Sequence, residues 1–84
     1  MKIVFTKHAN GKFKVLKDVG VIVSKNKVIG VLKRPEKLDL VTDIPNIIAS
    51  GKLDKDHVLR VVYRSESDIM IIITFYPARR ERYN

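Results

Sequence analysis

The sequence predicts an α+β domain in which two N-terminal helices pack on an antiparallel sheet, in the order β-α-α-β-β-β-β. Three observations lead there. Helical spacing of apolar residues is confined to the stretches after Thr6 and Ser24. Beyond Pro35 the pattern becomes extended, with short apolar runs separated by turn residues. The last run, Ile69 to Tyr76, is apolar at nearly every position, as in a central strand covered on both faces. Eighty-four residues suffice for one domain, residues 1–84, with a single modest core.

Lys2 to Phe5 is short and β-branched and reads as a strand. The next stretch, "TKHANGKFKVLKDVG", contains Asn10-Gly11, a strong two-residue hairpin signal. A hairpin there would set Lys7 opposite Lys14 and leave neither face coherently apolar. A helix instead uses Thr6 as N-cap and places Ala9, Phe13 and Leu16 on one stripe, with Gly20 ending the segment. Gly11 costs that helix about 1 kcal/mol relative to alanine, and the coherent buried face outweighs it. Ser24 caps a second helix with Val28, Val31 and Leu32 inward and Pro35 as its stop. Strands follow at Leu38 to Thr42, Ile47 to Leu53 (weakened by Gly51), His57 to Arg64 and Ile69 to Tyr76. The turns fall at Pro45-Asn46, "DKD" and "SESD", and Pro77 ends the ladder.

Composition narrows the function classes. With 45% hydrophobic and 31% charged residues the chain is globular rather than disordered. It has no cysteine, which excludes disulfides and thiolate metal sites and agrees with a cytoplasmic protein. "MKIVFTK" meets lysine before any secretory apolar region develops, and the longest apolar run, Ile69 to Ile73, is too short to span a bilayer as a helix. The net charge is +8, unevenly spread. Residues 1–34 carry nine Lys/Arg against Asp18, residues 35–78 five against seven acids, and residues 79–84 three against one. If the fold joins the two basic ends, they form one face for an anionic polymer; otherwise the lysines keep the protein soluble.

No zinc-protease helix, glycine-rich phosphate loop or nucleophile elbow is present in the sequence, so no metal or other cofactor is expected. The acids cluster in turns, at Asp54, Asp56, Glu66 and Asp68, where they cap and solvate. What remains is basic and aromatic. Arg60 and Arg64 share a strand parity opposite Leu59, Val61 and Tyr63, which predicts a common solvent-facing side. Arg79, Arg80, Arg82 and Tyr83 follow the last strand. Guanidinium groups bind phosphate through two parallel hydrogen bonds and stay charged at any working pH. Cleaving RNA without a metal requires a base for the 2′-hydroxyl, cations for the phosphate and an acid for the leaving oxygen. Arginines with a His, Lys or Tyr nearby supply all three. His8, opening the first helix, is a candidate base, and Tyr83 is free to stack on a base or donate a proton. His57 and Tyr63 read as structural. Lys7, Lys12 and Lys14, with Arg64 and Arg80, are candidates for tracking a nucleic-acid backbone, against the plainer reading of a solvated helix face.

The opening "FTKHA", the two short helices, "HVLRVVY" and the ending "ITFYPARRERY" together resemble a family of small domains related to the RelE/ParE toxin superfamily. The ending is also similar to BrnT-type ribonuclease toxins. The similarity covers nearly the whole chain. It implies a RelE-like fold and a metal-independent endoribonuclease, of the mRNA interferase type, from a toxin–antitoxin pair. The implied partners are RNA, ribosome-associated or free, an antitoxin protein and, in some forms, a second copy; no membrane is implied. By position the cleavage residues would be Arg60, Arg79, Arg82 and Tyr83, with His8. ParE-like members of the same group act on gyrase without nuclease chemistry, so a non-enzymatic nucleic-acid- or protein-binding module is the alternative.

Overall fold

The computed structural model describes residues 2–80. Each helix begins on the hydroxyl that its sequence offers. Thr6 Oγ1 accepts from the Ala9 amide at 3.1 Å and opens α1 (Lys7–Asp18). Ser24 Oγ accepts from the Lys27 amide at 3.1 Å and opens α2 (Lys25–Lys33). Asn10-Gly11 is therefore helical, on the exposed side of α1. The helix closes as a Schellman motif: Gly20 sits at φ +88°, its amide donates to Lys17 O, and the Val21 amide donates to Leu16 O.

Five strands form one sheet: β1 (Lys2–Phe5), β2 (Lys37–Asp39), β3 (Ile47–Lys52), β4 (His57–Glu66) and β5 (Ile69–Arg79), in the order β1-β5-β4-β3-β2. The α+β class and the element order are as expected, but the sheet is mixed rather than antiparallel. β2 to β5 pair antiparallel, whereas β1 lies parallel to β5. The reason is connectivity. β1 is joined to the rest of the sheet through two helices, so no hairpin dictates its direction.

Three boundaries also differ from expectation. β4 runs past Arg64 through Ser65 and Glu66, which pair with Met70 and Ile69, so only Ser67 and Asp68 of the expected "SESD" turn are left to turn the chain. β2 stops at Asp39 rather than Thr42, because Asp39 Oδ1 accepts the Val41 and Thr42 amides, each at 3.0 Å, and turns the chain. β5 continues through Pro77 to Arg79, with Pro77 opposite Leu59. Since β1 reaches only to Ile72, β5 has an open edge beyond that point, where a residue without N–H is tolerated.

The β4–β5 ladder carries a bulge. Val62 faces Thr74 but Tyr63 faces Ile72, so Ile73 is the extra residue. This reverses the alternation of β5 midway: Phe75 and Ile72 both point to the helices although three positions apart. The helices cover one face only, with α1 over β5 and β1 and α2 over β3 and β4. Their apolar stripes meet Ala49, Leu59, Val61, Tyr63, Ile72 and Phe75 in one core. Phe13 of α1 stacks at a tilt on Phe75, with centroids 4.7 Å apart. Gly51 is required by this layer: a Cβ there would lie 2.9 Å from Val31 Cγ2.

Three stability outcomes follow. Gly11→Ala should stabilise by about 1 kcal/mol in urea denaturation, since a Cβ meets nothing within 4 Å and the backbone is already helical. Gly51→Ala should destabilise by about 1–3 kcal/mol through overpacking, and its cost should shrink in a Val31→Ala background.

Candidate nucleic-acid interface

Strand register builds a polar row on the face that the helices leave open. Lys37, Ser50, Arg60 and Tyr76 are successive Cα partners across β2, β3, β4 and β5. Around them lie Asp39, Ile48, Val62 and Thr74 in the next row. Arg60 is at the centre and only 7% exposed, which corrects the expectation of a solvent-facing side chain. Its Nε donates to Tyr76 Oη at 3.0 Å, and its guanidinium carbon lies 5.9 Å from the Tyr76 ring centroid. A buried guanidinium needs such partners, because leaving one donor unmet costs about 1–3 kcal/mol. The phenol thus fixes the plane of the arginine.

Asp39 adds a carboxylate whose ionisation senses Arg60. Its pKa is lowered to about 2, chiefly by the Thr42 hydroxyl, then by the Thr42 and Val41 amides, with Arg60 contributing least. Arg64 shares the face of Arg60 but is exposed, its Nε 2.9 Å from Glu66 Oε1. Arg79 closes the ladder opposite His57, with the reverse parity. Arg80 follows, anchored by its amide to Asp56 O at 2.9 Å and by Nη1 to Glu36 at 3.6 Å, while its buried Nη2 has no hydrogen-bond partner among the described residues. Lys55, Asp56, Arg79 and Arg80 line a shallow cavity of about 240 Å³. Lys37, Arg60 and Arg79 each take part in a further interaction besides these. Arg82 and Tyr83 lie outside the described residues.

The remaining candidates sit elsewhere. His8, Lys7, Lys12 and Lys14 belong to α1, in the helical layer, on the other side of the sheet from Arg60. Lys14 is paired with Asp18 at 3.3 Å. The basic residues are therefore divided between two surfaces instead of forming one face. Parallel pairing explains it: Lys2 is level with Ile69, ten residues back along β5 from Arg79. His57 is structural, its Nδ1 2.9 Å from Asp54 Oδ1 in the β3–β4 turn. That contact, followed by the Asp56 amide, lowers the Asp54 pKa. Tyr63 is in the core, where burial raises the pKa of its phenol.

Tyr76, Lys37, Ser50 and Asp39 escape the reading of the sequence alone. Tyr76 is 16 residues from Arg60, and the bulge defeats a simple count across the hairpin. Among the described residues no group of three His, Cys, Asp or Glu is placed to hold a metal ion, and no helix is long and apolar enough to cross a membrane. The chain matches no family model, no curated protein and no solved structure.

Tyr76→Phe should cost about 1–2 kcal/mol by removing the acceptor of the Arg60 Nε proton, read as a shift in the urea midpoint. Asp39 and Asp54 are depressed carboxylates, so their contribution is present above the unfolded pKa of about 4 and is lost at lower pH, for Asp39 as pH falls towards about 2. Asp39→Asn should flatten the acid limb of the stability–pH curve over that interval.

Proposed function

We propose that the protein is a small toxin-like RNA-binding protein of the RelE/ParE type that cleaves RNA without a metal. In this reading it is cytoplasmic and is normally held by an antitoxin protein. The observation that carries the reading is the buried guanidinium of Arg60, held in one plane by Tyr76 at the centre of the helix-free face. A planar, pre-oriented guanidinium is suited to a phosphodiester, because little rotamer freedom is left to lose on binding. Arg64, on the same face, extends the positive strip, and Arg79 and Arg80 supply cations at the end of the ladder. In cleavage, Arg60 and Arg79 would stabilise charge building on the phosphate. The acid–base steps fall to Tyr83, by the resemblance of the ending. His8 would act only on a substrate that reached round to the helical layer.

A second reading, a non-enzymatic nucleic-acid- or protein-binding module, is favoured by the low exposure of Arg60, which leaves its guanidinium little room for in-line chemistry.

Incubation with mRNA, with and without ribosomes, separates the two. The enzyme should yield 2′,3′-cyclic or 3′-phosphate ends, and Arg79→Ala/Arg82→Ala/Tyr83→Ala should lower the rate about 100-fold or more. Equal cleavage by wild type and this variant would sink the nuclease assignment. Retention of RNA without product supports the module instead: Arg64→Ala should then reduce the slope of log affinity against log salt by about 0.7 on single strands.

A further inference from the structure

Two exposed apolar patches of opposite charge lie on different elements, one along α1 and the segment that follows it, the other in the turn that follows β2. The first is a groove of about 350 Å³ between α1 and the segment leading to α2, lined by Phe13, Lys14, Lys17, Ile22 and Val23. Ile22 is 72% exposed and Val19, beside it, 73%. Residues 7–23 hold four lysines against one aspartate, so this surface is basic. The second patch is the turn after β2, where Val41 is 75% and Ile44 71% exposed, with Leu40 also at the surface. Residues 39–46 carry Asp39 and Asp43 and no Lys or Arg, which makes the turn acidic, while Glu36 before it is paired with Arg80. Asp39 stays ionised down to about pH 2, so the negative charge persists at any physiological pH.

We propose that these patches bind each other between two copies of this chain, the 39–46 turn of one seating in the α1 groove of the next. Four features support it. Each patch exposes large aliphatic side chains that water solvates poorly. Their charges are opposite, while a groove-to-groove contact would bring lysine against lysine. No Lys or Arg lies within 39–46, so nothing in the turn itself repels the lysines of the groove. Finally, α1 packs over β5 and β1 whereas the turn follows β2, the far edge strand, so the two patches belong to opposite edges of the sheet. The contact is heterologous, a head-to-tail arrangement that produces a chain or a ring rather than a closed two-fold dimer. It does not depend on the RNA reading.

Analytical ultracentrifugation of the full chain from about 10 µM to about 1 mM tests it. The mean mass should rise with concentration and continue past dimer, and should fall at about 0.5 M salt compared with about 0.05 M. Ile22→Ser and Val41→Ser, both at exposed positions, should each weaken association about tenfold. Lys17→Glu and Asp43→Lys should each abolish it alone, since like charges then face each other, while an equimolar mixture of those two variants should associate again. A concentration-independent monomer would overturn the proposal, as would association insensitive to these variants or mass that stops at dimer. A monomer that instead binds phosphatidylserine vesicles, or an acidic amphipathic peptide, through Ile22 would overturn it too and give the groove a different occupant.

Discussion

The bulge at Ile73 is the constraint on which the rest of the structure depends. A regular β5 would send Ile72 and Phe75 to opposite faces, and one of the two large side chains at the centre of the core would be lost to it. By taking one extra residue, the strand presents both to the helices and leaves Thr74 and Tyr76 on the other side. Phe75 then receives Phe13 of α1, which in turn touches Phe5 of β1 with centroids 5.7 Å apart. The first two elements of the chain are thereby locked to its last strand through one aromatic line. The same irregularity sets Tyr76 opposite Arg60. Core and candidate site are two consequences of a single register change.

A one-sided helical layer has a cost that the molecule meets locally. The open face of the sheet still contains Val58, Val62 and Ile48, all buried, and at its centre a charged residue. Arginine is tolerated there because its donors are partnered and its flat guanidinium lies against an aromatic ring. A lysine would concentrate its charge on one strongly hydrated point. The arrangement explains how a basic group can be built into the sheet rather than hung from its rim, and it is what distinguishes Arg60 from the solvated Arg64.

Charge is organised by the same layering. The lysines of α1 project from the helical layer, the arginines of β4 and β5 occupy the open face and the end of the ladder, and the acids gather in the turns at 39–46 and 54–56. A net charge of +8 therefore does not describe a uniform surface. It describes two basic regions with different backgrounds, one apolar and helical, the other flat and hydrogen-bonded, and an acidic edge between β2 and β3.

Local chemistry determined the elements. Thr6 and Ser24 offered caps, and Ala9, Phe13 and Leu16 offered a coherent stripe that outweighed Asn10-Gly11. Pro35 separated helices from strands, and β1, β3, β4 and β5 could be located from their apolar runs, whereas most of the run expected to form β2 lies in the turn after it. These signals act over a few residues, where propensity and spacing decide. The parity of Arg60 and Arg64 was legible for the same reason. What only tertiary structure decided acts over long separations. The parallel placement of β1 depends on a crossover through two helices, and the continuation of β5 through Pro77 depends on where β1 stops. The burial of Arg60 depends on its neighbours across four strands. Its pairing with Tyr76 could not be counted out, because measuring back from the Ser67-Asp68 turn sets Phe75, not Tyr76, opposite Arg60 until one residue is spent on the bulge. A register is a property of two strands packed on a common core, and neither strand carries it alone.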